Sequence, residues 1–276
     1  MLTTPPLATS QTIVDRYNVT VSGRGTQPML FAHGFGCDQS MWRFVAPAFE
    51  NDYRVICFDY IGHGRTRLNA YNRERYASLH GYAQDVLDIC QALDLHNIVF
   101  VGHSVSSMIG MLAAIKEPDR FSNLVMVSPS PRYLNDDGYV GGFEREDVEE
   151  LIETMDGNFF GWATSTAPAI MANGDRPELG AELGATFCHT DIEVALHFAR
   201  VTFLGDNRQD LPKLQTPSLI IQTREDIIAP VAVGDYMAKH TPNSTLHVID
   251  ATGHCPHMSA PQETIDAINQ YLHQPH

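Results

Sequence analysis

The sequence predicts an α/β protein: a mostly parallel sheet flanked by helices, with a helical insertion past its middle. Two observations carry this. Short apolar runs rich in β-branched residues alternate with longer stretches of helical periodicity, the pattern of a sheet covered on both faces. The alternation then lapses over 131–210 and resumes near 218.

In chain order, strands are predicted over 12–21, 28–34, 53–60, 97–104, 123–130, 218–223 and 245–251. The middle runs are apolar almost throughout, as strands buried on both faces are. Leu79, Tyr82, Val86, Ile89 and Leu93 recur at helical spacing and predict a helix over 78–93. A small-residue apolar stretch predicts another over 105–115, and the stripe Ile265, Ile268 and Leu272 predicts a closing one over 261–272. Between 131 and 210, helical patterns are punctuated by Gly and Pro and carry Phe143, Phe159, Phe160, Trp162 and Phe203, without a strand pattern. The expected division is therefore a core from 1–130 and 211–276, with a helical lid from 131–210 over one end of the sheet.

Composition narrows the function. Hydrophobic residues at 43% and charged residues at 18% can bury a large core. The net charge of −15 repels phosphate backbones and anionic membrane surfaces, so neither nucleic acid nor a membrane is expected as a partner. The acidic patch over 144–153 reads as the solvated face of a helix. The opening MLTTPPLATSQTIVDRY has no basic region followed by an apolar one, and no apolar run approaches the roughly 18 residues of a membrane span. A cytoplasmic location is expected. The five cysteines, Cys37, Cys57, Cys90, Cys188 and Cys255, are odd in number and scattered, which argues for reduced thiols rather than disulfides or a zinc site.

The chemistry gathers around Gly102-His103-Ser104-Val105-Ser106, where a predicted strand gives way to a helix. A nucleophile on so sharp a turn needs small residues two before and two after it, usually G-x-S-x-G. Ser106 replaces the last glycine and is small enough to fit. A serine there could instead simply cap the helix. Asp226 and His254 each follow a later strand, giving the order nucleophile, acid, histidine on one sheet edge. His254 would take the Ser104 proton while Asp226 holds its tautomer and stabilises the imidazolium. Glu225 is the alternative acid and His257 the alternative base. His254-x-x-His257 could also bind a metal, although the helical H-E-x-x-H context is missing. Two backbone amides should face the developing oxyanion. Val105 qualifies at the helix N-terminus, and Phe35 qualifies within His33-Gly34-Phe35-Gly36. No metal, nucleotide or flavin motif is found, so no cofactor is expected.

These residues, with HGFGCDQSMW (33–42), FDYIGHG (58–64), FVGHSVSSMIGMLA (100–113), SPSPRYLNDDGY (128–139) and GHCPHMSAP (253–261), resemble the α/β-hydrolase superfamily nearly end to end. The resemblance is closest to the RsbQ-like branch of sigma-B regulators, which is related to the plant strigolactone and karrikin receptors. It implies an α/β-hydrolase fold with a four-helix lid, and Ser104, Asp226 and His254 as the triad with Phe35 and Val105 as oxyanion donors. It also implies a pocket of Phe35, Phe143, Trp162 and Phe203 for a small hydrophobic ester or lactone. Two functions follow: a serine hydrolase with a stress-response role, or a ligand sensor of little turnover that binds a PAS-containing PP2C-type phosphatase. Serine at the elbow sets aside dehalogenase chemistry, which uses Asp there, but is compatible with cofactor-free peroxidase or C–C hydrolysis.

Overall fold

The computed structural model describes residues 10–274. Residues 1–9, which begin both the expected core and the opening stretch read above, and residues 275–276 lie outside the described residues. In chain order the elements are α1 (Ser10–Arg16), β1 (Thr20–Ser22), β2 (Gln27–Ala32), β3 (Tyr53–Phe58), α2 (Leu79–Ala92), β4 (Ile98–His103), α3 (Val105–Lys116) and β5 (Phe121–Val127). There follow α4 (Arg145–Gly157), α5 (Phe159–Met171), α6 (Pro177–Cys188), α7 (Ile192–Phe203), β6 (Ser218–Glu225), α8 (Val231–His240), β7 (Ser244–Thr252), α9 (Pro256–Ser259) and α10 (Pro261–Leu272).

The seven strands order as β1-β3-β2-β4-β5-β6-β7, with β1 antiparallel and all other pairs parallel. Their side chains alternate between two cores. Leu30, Ile56, Phe58, Phe100, Leu124, Met126 and Ile220 face the core packed by α2, α3 and α8. Met29, Phe31, Val55, Val99, Val101, Val125, Leu219 and Ile221 face the one closed by Trp42, Phe49 and α10. Each fully buried Val, Leu, Ile or Phe stabilises the fold by roughly 1.5–3 kcal/mol, which is why the middle strands read as continuous apolar runs.

The expected strand over 12–21 is corrected. Its first half is α1, because Ile13 and Tyr17, four apart, both bury against the main core. Asn18, at φ 46°, then turns the chain into the short, exposed β1. Helix α8 was not anticipated. It buries only Val233, Gly234 and Met237, too thin a stripe to stand out by periodicity.

Four helices, α4 to α7, lie between β5 and β6. They share a third apolar cluster, in which Val148, Ile152, Trp162, Leu183 and Ala195 meet Cys37, Ile228 and Cys255 from loops at the carboxyl edge of the sheet. The acidic stretch before and within α4 is exposed, while Val148, Ile152 and Met155 turn inward. No helix among the described residues is long and apolar enough to cross a membrane.

This topology creates the site. From β2 the chain moves to β3 on one side and then crosses to β4 on the other. The loops leaving β2 and β4 therefore diverge, and a crevice opens at their carboxyl ends, the usual ligand position in such sheets.

Candidate active site

Ser104 joins β4 to α3 at φ 55° and ψ −122°. A non-glycine residue held there stores of order 1–3 kcal/mol of strain. The turn closes only because its flanks are small: a Cβ on Gly102 would sit 2.6 Å from the Ser106 carbonyl oxygen. Ser106, where the usual motif has glycine, is fully buried, donates its hydroxyl to the His33 carbonyl and pairs with the Tyr60 hydroxyl at 3.0 Å. The Ser104 amide donates to Val127 at 2.8 Å, tying the turn to β5.

His254 Nε2 lies 2.8 Å from Ser104 Oγ, and its Nδ1 lies 2.7 Å from Asp226 Oδ2. An ionised carboxylate can only accept. Nδ1 therefore carries the proton, and Nε2 is the bare acceptor for the serine hydroxyl. Asp226 Oδ1 accepts the amides of Ile228 at 2.8 Å and Ala229 at 3.1 Å, which fixes the carboxylate from its other side. Gly253, at φ 92°, brings His254 into place, and there a Cβ would stand 1.9 Å from the Met171 carbonyl oxygen. The His254 amide donates to Ile170 at 2.9 Å, so α5 also braces the histidine loop.

The alternatives left open by the sequence separate here. Glu225 is exposed at the end of β6. His257 packs its buried ring against Trp42 and His103, at centroid distances of 4.5 and 4.4 Å, and burial pushes its pKa down to about 3. Neither residue meets Ser104. His103 donates Nε2–H to the His254 carbonyl at 2.8 Å, and burial, with His257 and His254 beside it, holds its pKa well below the ordinary value. The amides of Phe35, in the loop after β2, and of Val105, at the first position of α3, make no hydrogen bond among the described residues.

Above Ser104 and His254 is a cavity of about 40 Å³ as swept by the centre of a water-sized sphere, room for a few waters. Its apolar wall is Phe35, Ile170, Leu183, Phe187, Phe203 and Ile228, with Cys37, Thr202 and Cys255 between them. Of the four aromatics expected there, Phe35 and Phe203 line it. Trp162 stands behind, stacked on Phe187 at 5.3 Å. Phe143 is displaced from the lining because its backbone pairs with Tyr133 and Asn135 in a turn before α4.

Tyr133 was not singled out from the sequence, although it lies in the SPSPRYLNDDGY stretch. Its hydroxyl is 3.2 Å from Ser104 Oγ, and its buried ring packs on Phe203 at 5.0 Å. Burial raises its pKa far above the ordinary value, so the phenol stays protonated. With the serine proton directed to His254, Tyr133 donates to Ser104 Oγ.

Comparison with known proteins identifies the family to which this fold belongs. Residues 27–261 match the family described as the alpha/beta hydrolase fold. Karrikin insensitive 2 receptor CA of Petunia hybrida is 38% identical over 95% of this chain and 97% of its own length. A strigolactone esterase of Pisum sativum is 38% identical over 90% of this chain and 94% of its own. The solved structure of a hydrolase from Oleispira antarctica superposes with a TM-score of 0.94 at 45% identity, covering 97% of this chain and 98% of that one. The chain belongs to the alpha/beta hydrolase family and is a homologue of the strigolactone and karrikin receptors.

Proposed function

We propose that the protein is a serine hydrolase that cleaves a small hydrophobic ester or lactone. The observation that carries this reading is the unbroken hydrogen-bonded series from Ser104 through His254 to Asp226 at 2.8 and 2.7 Å. In this mechanism His254 takes the Ser104 proton as Oγ attacks the substrate carbonyl. The free amides of Phe35 and Val105 hold the oxyanion, and the positive end of α3 adds to the field. His254 then gives its proton to the leaving alkoxide, and water releases the acyl group from Ser104 by the reverse path. For a lactone, both products are one opened hydroxy acid. The apolar wall selects the substrate, and the segment 131–210 serves as a lid that keeps bulk water from the acyl-enzyme. The biological role belonging to this reading is RsbQ-like, in a cytoplasmic stress-response pathway.

A second reading uses the same site as a sensor of low turnover, whose lid shape is read by a PAS-containing PP2C-type phosphatase. It is favoured by the similarity over 95% of the chain to a protein named as a receptor and by the small volume of the cavity, about 40 Å³. Steady-state hydrolysis of p-nitrophenyl acetate, abolished in Ser104→Ala, is the outcome expected of the enzyme. A single burst of one equivalent followed by a stable adduct would instead establish the sensor.

A further inference from the structure

The cavity wall holds one hydroxyl that the hydrolytic mechanism does not use. Thr202 sits near the carboxyl end of α7, whose buried stripe is otherwise Val194, Ala195, Phe198, Ala199 and Phe203. It is 5% exposed and lines the cavity beside Phe203. Its Oγ1 is buried and has no hydrogen-bond partner among the described residues.

Helical threonines ordinarily escape that penalty by returning the hydroxyl to the carbonyl four residues back. In this chain Thr164, Thr186 and Thr264 each do so, to Phe160, Glu182 and Ala260 at 2.9–3.0 Å. Thr202 does not. Valine has the same shape and would fill an apolar stripe without leaving a buried hydroxyl unpaired. The other unpaired polar atom at the cavity, His103 Nδ1, is accounted for by packing: it abuts the Cα of Gly34, where a Cβ would come within 2.4 Å. The thiols of Cys37 and Cys255 are kept neutral by burial and are weak donors.

We infer that Thr202 is a specificity residue whose hydroxyl pairs with a hydrogen-bond acceptor on the substrate, remote from the carbonyl attacked by Ser104. This deepens the hydrolase reading and rests on it for the role of the cavity. The substrate class becomes a short apolar acyl ester or lactone bearing a second oxygen, such as a keto or ether group, on its acyl portion. A purely hydrocarbon acyl chain would leave Thr202 unpaired in the complex as well.

The test compares two acyl groups of nearly equal shape, p-nitrophenyl 4-oxopentanoate and p-nitrophenyl 4-methylpentanoate. The quantity read is the ratio of their kcat/KM values. In Thr202→Val that ratio, oxo over methyl, is expected to fall about tenfold, and Thr202→Ser is expected to recover most of it. Dissociation constants of both esters on Ser104→Ala, with and without Thr202→Val, read the same hydrogen bond without turnover. A ratio that moves by less than about twofold in both readouts, below the worth of one neutral hydrogen bond, overturns the inference while leaving the hydrolase intact. A shift in the dissociation constants without turnover in the unaltered protein supports Thr202 and overturns the hydrolase.

Discussion

Ser104 occupies a backbone conformation that an L-residue rarely adopts, and its neighbours show how that is maintained. Gly102 leaves room, and the two hydroxyl contacts of Ser106 do what a glycine in its place could not. Asp226 acts through two amides and one imidazole. We predict that Asp226→Asn lowers kcat about 10⁴-fold by stabilising the wrong His254 tautomer, while the exposed Glu225→Gln changes it by less than about twofold. Equal losses in the two variants would refute the assignment, and circular dichroism would establish that both fold. The sequence favours Asp226 for its shorter side chain but leaves Glu225 open, because both stand where β6 ends, and the turn into Ile228 and Ala229 holds the Asp226 carboxylate inward. Ser104 and His254 were legible because chain order and small flanking residues constrain them. Tyr133 was not, since a lone tyrosine in a loop carries no spacing signal, and Trp162 and Phe143 were misplaced because an aromatic that lines a cavity and one that packs behind it look alike in sequence.

Elements bring these residues together through their carboxyl ends. The central strands and α2, α3 and α10 could be read from periodicity because each buries a continuous stripe. Helix α1 could not, since its β-branched TIV suits a strand and only the packing of Ile13 and Tyr17 against the core selects the helix. The turn after β7 lies close against the end of α5. Gly253→Ala forces a Cβ against the Met171 carbonyl in a conformation unsuited to it. The expected cost is roughly 2–4 kcal/mol of stability, read by urea unfolding. Ester hydrolysis should fall more than about 100-fold, because His254 moves with the turn. Unchanged activity would mean that the turn does not position the histidine.

Across the whole molecule, an acidic surface encloses a core that holds several neutral imidazoles. Burial pushes His63 and His257 to about 3, and lowers His33 and His103 as well. These groups bind protons more readily when unfolded, near the ordinary value of about 6.5. Their contribution to stability is therefore complete above that value and is lost as pH falls toward the folded values. Asp85, raised to about 6 by burial beside Arg75, works in the opposite direction, but it is one carboxyl against four rings. Unfolding free energy should fall steadily from pH 6.5 toward pH 4, and a flat or rising profile in chemical denaturation would contradict this. The same burial surrounds Ser104, and the account depends most on whether that serine is a nucleophile. Intact-mass spectrometry after treatment with a fluorophosphonate tests it most directly. The account predicts one added phosphonyl group, mapped to Ser104 and missing from Ser104→Ala, whereas equal labelling of both proteins, or none of either, would contradict it.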